Sequence, residues 1–373
     1  MATEPYSEPT LQQHPGREPG DPGIPSAPDG IPIEGRSPWY LAYRRLRRNK
    51  TALAFLTLFF LIVIFVVVAP LWATKVAHSG PDSTHTLQRL TIGGKKKDVV
   101  TPEGQPIAPV WFGAGGKFFL GADGRLGRDE MVRLMYGGRV SLFIGIVSGI
   151  ITTVLGVILA LIAAYYGGWV DSILSRIGDV IWAFPVVLLG LAIGTALAIS
   201  GLHLGPITIA SSSVWIPILI IGIVYTPYMY RPIRGEVLAL REKEFVEAAV
   251  AQGAGPGRIM FGEMLPNLWS IIIVFFTLNV ASNMILESYL SFLGAGVQPP
   301  TSSWGTMAAD GFNYVYSDPI LTLIPAVMIL LTVLSLNVFG DGLRDALDPK
   351  AKIRLEARTG KVEPEAAVET EGV

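Results

Sequence analysis

The sequence predicts an all-α membrane protein with six transmembrane helices, and three observations carry that expectation. Half of the 373 residues are hydrophobic and 16% are charged, with a mean hydropathy of +0.47, a balance typical of chains that live in lipid. Apolar runs long enough to cross about 30 Å of hydrocarbon recur along the chain, separated by polar stretches rich in Gly and Pro. A basic cluster, Arg44, Arg45, Arg47, Arg48 and Lys50, directly precedes the first run. Positive charge beside a first span holds the N-terminus in the cytoplasm, and six spans return the C-terminus to the same side.

Several chemistries are excluded early. The chain has no cysteine, so it carries neither disulfides nor thiolate metal sites. Its four histidines, His14, His78, His85 and His203, are too far apart in sequence for a metal centre. They also lie in tails, loops or a span end, which leaves an intramembrane enzyme without its base. No cofactor, metal or nucleic-acid partner is expected. The net charge of −1 decides nothing, because in a membrane protein the placement of charges matters more than their sum.

Residues 1–38 are rich in Pro and Gly and nearly free of apolar side chains, so they read as a disordered cytoplasmic tail. Residues 39–73 hold an entry segment and the first span, Thr51 to Ala73. Trp39, Tyr40 and Tyr43 suit either an aromatic interface belt or an amphipathic entry helix. Residues 74–138 form a long polar extracytoplasmic loop. Its Gly93-Gly94-Lys95 and Gly115-Gly116-Lys117 lack the upstream glycine and the following Ser/Thr of a Walker A loop, so the chain does not hydrolyse ATP itself. Asp129, Met131, Leu134 and Met135 at its end suit a helix lying on the membrane surface.

The core, residues 139–340, supplies spans two to six. Span two runs from Val140 to Tyr165 and breaks at Tyr166-Gly167-Gly168. Span three, Val180 to Ile199, has Asp179 at its mouth, where a carboxylate either caps the helix or serves transport. Pro185, Pro217 and Pro227 kink spans three and four, the latter from Ile209 to Tyr230, as in bundles that enclose a cavity. Tyr228 and Tyr230 suit an interfacial belt. Span five, Trp269 to Leu293, contains Asn279, Asn283 and Glu287. An acid at membrane depth is costly, so Glu287 either faces a water-filled path or is a hydrogen-bonded packing group. Span six runs from Pro319 to Phe339. Arg344 beyond it is spaced to pair with Asp341 and Asp348, and residues 341–373 form a cytoplasmic tail.

Between spans four and five lies the polar stretch 232–268. Phe245, Ala248, Ala249 and Gln252 recur at helical spacing and present a narrow face of small side chains beside one aromatic. Gly253, Gly255 and Pro256 stop this helix, and a second one starts near Arg258. As chemistry alone, the stretch is either a solvated connector or a docking helix.

The residues Glu247-Ala248-Ala249, then Gly253, then Leu265-Pro266 resemble the cytoplasmic "EAA" loop of bacterial binding-protein-dependent ABC importer permeases. Two further stretches are more specific. Phe119-Leu120-Gly121-Ala122-Asp123 through Gly127-Arg128-Asp129 to Arg133 and Ser141 resembles the signature that opens the core of dipeptide and oligopeptide permeases. Leu290-Ser291-Phe292-Leu293-Gly294 through Gln298-Pro299-Pro300 to Trp304-Gly305 and Asp310-Gly311 closely resembles a second stretch of the same group. Trp304 would anchor that stretch at the outer interface.

The resemblance implies the type I ABC importer permease fold in a bacterial inner membrane. It implies a second homologous permease, two ABC ATPase subunits docked through Glu244, Phe245, Glu247, Ala248, Ala249, Gly253, Leu265 and Pro266, and an extracytoplasmic binding protein that delivers a peptide. Membrane lipid is the remaining partner. Glu287, Asn283, Asn279 and Asp179 are the pathway candidates, and residues 74–118 are a candidate contact for the binding protein. A stand-alone channel or secondary transporter would instead use Glu287 and Asp179 for ion coupling and would need no docking helix.

Overall fold

The computed structural model describes residues 38–124 and 126–347. Residues 1–37 of the expected disordered tail and 348–373 of the expected C-terminal tail, Asp348 among them, lie outside the described residues, whereas 341–347 belong to a helix. Among the described residues five helices are long and apolar enough to cross a membrane, or six if a bent pair is one span.

An entry helix, α1 (Pro38–Leu46), precedes α2 (Lys50–Val67). Asn49 caps α2 by accepting from the Ala52 N–H at 3.1 Å, which satisfies one of the free amides of its first turn. The rod continues as α3 (Ala69–Trp72), with Pro70 in its first turn, and as a π-helical turn (Ala73–Ala77). It ends at Ala77, four residues beyond the expected end, where His78 adopts φ 48.

The expected extracytoplasmic loop is more ordered than its polarity suggests. Strands β1 (Arg89–Ile92) and β2 (Lys95–Asp98) form an antiparallel hairpin closed at Gly93-Gly94. Leu90, Val99, Ile107, Phe118 and Ala122 bury a small core beneath it. The surface helix does not form as a separate element: Asp129, which accepts from Val132 N–H at 3.1 Å, caps one unbroken helix, α4 (Glu130–Tyr166), of 37 residues. Leu134 and Met135 are each 3% exposed, and Leu134 packs with Val66 of the first span and with Trp304 and Met307, so the face that would have met lipid headgroups is covered.

Gly167, at φ 64, ends α4. The next span is broken: α5 (Gly168–Ala183) and α6 (Val186–Ser200) meet at 85°. Pro185 lacks an N–H and forces Phe184 into extended geometry, with ψ 142, so the expected continuous helix from Val180 to Ile199 cannot form. Ile209 lies in a second hairpin, β3 (Leu202–Leu204) with β4 (Ile207–Ile209). Span four therefore begins later, as α7 (Trp215–Val224), and runs on through α8 (Thr226–Arg241).

A short helix, α9 (Glu244–Ala251), and a π-helical turn (Arg258–Met264) lead into α10 (Leu265–Phe292). Then come α11 (Trp304–Phe312) and α12 (Ile320–Leu347). Arg344 is exposed and forms no ion pair with Asp341 among the described residues. Helix α4 is the spine, packing against α7, α8 and α10. One end of the bundle is built from Val157, Leu161, Met229, Ile233, Val246 and Met264, and the other from Val66, Leu134, Met284, Trp304 and Met307.

Candidate functional site: an exposed helix between two spans

Helix α9 stands out from the bundle on one anchor. Val246 is 4% exposed and enters the core formed by Ile259, Met260 and Met264. Around it Glu244, Phe245, Glu247, Ala248 and Val250 are exposed, whereas Ala249 is half-buried against that core. The expected four-residue face is thus a three-residue one, Phe245, Ala248 and Gln252, with Ala249 turned inward.

The end of α9 is a Schellman motif. Gly253 N–H donates to Val250 O at 2.9 Å, and Ala254 N–H donates to Ala249 O at 3.0 Å. Gly253 adopts φ 77, a conformation that costs residues with a Cβ about 1–2 kcal/mol. Leu265 packs on the same core and Pro266 is exposed, both in the first turn of α10. Val246, Ala249 and Leu265 thus share one core, while Glu244, Phe245, Glu247, Ala248 and Pro266 stay exposed around a short helix that ends at a sharp stop.

The neighbouring span end is cross-tied. Arg234 of α8 grips Asp171 of α5 through both its Nε and Nη2, Tyr230 Oη and Ser175 Oγ are 3.0 Å apart, and Arg241 donates to Ala164 O at 3.2 Å. Asp179 is not a cap, since it lies inside α5 and pairs with Arg231 at 2.9 Å, exposed at the surface. Tyr230 is 4% exposed, so it packs in the core instead of joining a belt. Tyr228 stacks edge-on with Tyr225 and Phe275.

The remaining pathway candidates are interior. Asn279, Asn283 and Glu287 are each 0% exposed. Ser141 Oγ donates to one Glu287 oxygen at 3.1 Å, and Ser291 Oγ donates to the other at 2.7 Å. Ser141 also accepts from the Trp304 N–H at 3.1 Å, which links the carboxylate to the start of α11. The Asn283 amide meets Ser148 Oγ at 3.0 Å. This burial, with a hydrogen bond on each carboxylate oxygen, is compatible with the packing reading of Glu287. Trp304 is likewise no interfacial anchor: it is fully buried, with Nε1 donating to Leu134 O at 2.8 Å. A Cβ on Gly138 would lie 2.5 Å from its ring, so the glycine is what admits the indole.

At the other end the two signature stretches meet in an ionic cluster that their spacing did not reveal. Arg133 of α4, 2% exposed, donates to Asp123 at 3.1 Å and to Asp310 of α11 at 3.0 Å. Arg128 Nε donates to Asp123 at 2.6 Å, and Glu130 lies 3.6 Å from Arg133. These groups line a cavity of about 470 Å³ together with Gln298 and Pro299. Asp129 beside it accepts from the Phe118 amide at 2.6 Å; burial nonetheless pushes its carboxyl above the ordinary aspartate value. Opposite charges in two stretches far apart in sequence were the available signal.

Residues 152–353 match the family described as binding-protein-dependent transport system inner membrane component, and residues 37–88 match the N-terminal TM domain of oligopeptide transport permease C. The chain belongs to this permease family. Among its relatives is the dipeptide transport system permease protein DppC of Alkalihalophilus pseudofirmus, 36% identical over 85% of this chain and 91% of the relative. The oligopeptide transport system permease protein OppC of Haemophilus influenzae is 33% identical over 85% and 90% of the two chains. The glutathione transport system permease protein GsiD of Pectobacterium atrosepticum is 35% identical over 85% and 93%. A solved inward-facing MetNI methionine ABC transporter chain aligns with a TM-score of 0.47 at 19% identity, over 58% of this chain and 97% of that one. The permease is thus a multi-pass inner membrane protein, in accord with its apolar helices.

Proposed function

We propose that this permease forms half of the translocation pathway of an ATP-driven peptide importer and couples to an ATPase through α9. The observation that carries the reading is α9 itself: a helix with one buried anchor, an exposed Phe-Ala face and a glycine stop, set between two spans of a chain whose relatives are named for dipeptide, oligopeptide and glutathione transport. A connector needs none of these features. In this reading the basic cluster before α2 and helix α9 lie on the cytoplasmic side. A second permease completes the pathway, two ATPases supply hydrolysis, and a binding protein delivers the peptide from outside. ATPase closure moves α9, whose only buried anchor is Val246, and the shift passes through Ile259, Met260 and Met264 into α10.

Affinity purification of the permease from its native membrane tests the assembly. Recovery of a second permease and two Walker-motif subunits, with ATPase activity raised by a binding protein, is the expected result. A permease that purifies alone and transports in liposomes without ATP would overturn it.

The packing role of Glu287 gives a further expectation. Glu287→Gln keeps an acceptor for Ser141 or Ser291, so peptide uptake and protein level should both stay near wild type. Uptake lost at normal protein level would instead make Glu287 a transport group.

A further inference from the structure

We propose that the outer subdomain, residues 79–128, is seated on the outer leaflet of the membrane through Trp111 and Phe112, beside the end of the first span. A helix rises about 1.5 Å per residue and the hydrocarbon is about 30 Å thick, so a span entered at Lys50 leaves the apolar layer about 20 residues later, near Leu71 and Trp72. Leu71 is 56% exposed and Trp72 follows it, which puts an indole at headgroup depth, where aromatic rings are favoured.

The subdomain reaches that level by a chain of ring contacts. Phe119 packs edge-to-face with Trp72 at 5.8 Å, with Trp111 at 5.2 Å and with Phe112 at 5.0 Å. Trp111 and Phe112, in the short 3₁₀ turn Trp111–Ala114, nevertheless leave 53% and 73% of their surface uncovered. Trp111 also adopts φ 52, a left-handed conformation that is costly for a residue with a Cβ, so this display of an aromatic side chain is held against its backbone preference. Lys75, exposed and close beyond Trp72, adds a cation where anionic headgroups lie. Ring contact with the end of a span decides for lipid over a soluble partner, since the same aromatic cluster already begins at the membrane boundary. The proposal needs only the first span and does not depend on the transport reading.

The permease has no cysteine, so a single nitroxide can be placed by one substitution. Phe112→Cys and, as an aqueous control on the same subdomain, Leu87→Cys, which is 97% exposed, would be labelled. Each would be measured in the transporter purified with its co-purifying subunits, in a bilayer of phosphatidylethanolamine and phosphatidylglycerol. The ratio of collision with oxygen, which partitions into lipid, to collision with a water-soluble nickel chelate should be several-fold higher at 112 than at 87. Equal ratios would show a solvated patch and overturn the proposal. So would low access to both reagents at 112, which marks burial against another subunit, or immobilisation of the label only when binding protein is added.

Discussion

Replacing Glu247 by lysine is expected to abolish uptake while leaving the permease at its normal level in the membrane. Glu247 is exposed and its carboxylate has no hydrogen bond or ion pair among the described residues. Its one intramolecular contribution is a favourable charge in the first turn of α9, worth about 0.3–1 kcal/mol. That loss is too small to unfold a helix anchored by Val246. At a docked surface, however, a misplaced charge costs several kcal/mol, and about 1.4 kcal/mol is already tenfold in affinity. Gly253→Val should give the same phenotype by another route. Nothing lies within 4 Å of a Cβ built there, so the penalty is purely the left-handed backbone, at about 1–2 kcal/mol, and it falls on the turn that aims α9. Peptide uptake set against membrane protein level measures both variants. Unchanged uptake in both would refute the docking role of α9.

Arg133→Met is expected to destabilise the permease by about 3–5 kcal/mol, because removing one partner of a buried ion cluster strands the others. The Arg133 side chain is 3% exposed and answers Asp123 and Glu130, whose side chains are 6% and 5% exposed. Asp310→Asn should cost far less, since that side chain is 49% exposed and water screens it. The readout is the melting temperature of the purified protein in detergent, where Arg133→Met should fall well below both Asp310→Asn and wild type. A wild-type melting curve for Arg133→Met would mean that the cluster contributes no net stability.

The positions of these residues were legible to different degrees. Hydropathy located the spans because lipid demands long apolar runs, and the glycine stops at Gly167 and Gly253 followed from local backbone chemistry. Break points were harder to read. Pro185 was visible as a kink, yet the 85° turn between α5 and α6 depends on what packs around it. The start of α4 was misread because Met131, Leu134 and Met135 have the same pattern whether their apolar face meets headgroups or α11. Trp304 and Tyr230 went wrong for a related reason: a belt and a core both want an aromatic ring with a polar atom, and only the Leu134 carbonyl or the Ser175 hydroxyl decides between them. The helix and its glycine stop were legible because Glu244 to Gly253 are local in sequence, whereas the core that Ala249 shares with Leu265 appears only in the fold. The ionic cluster escaped notice because Arg133 and Asp310 are 177 positions apart.

The unbroken course of α4 has one more consequence. At about 1.5 Å per residue its 37 residues make a rod about 55 Å long. One end carries Glu130 and Arg133 into the charge cluster with Asp123 and Asp310, and the other, Val157 to Ala164, lies in the core that receives Val246 of α9. With Gly167 as its first break, the rod has no hinge at which the two ends could be set independently. An event at either surface therefore reaches the other as displacement of a stiff strut, without side chains along its length having to switch in turn.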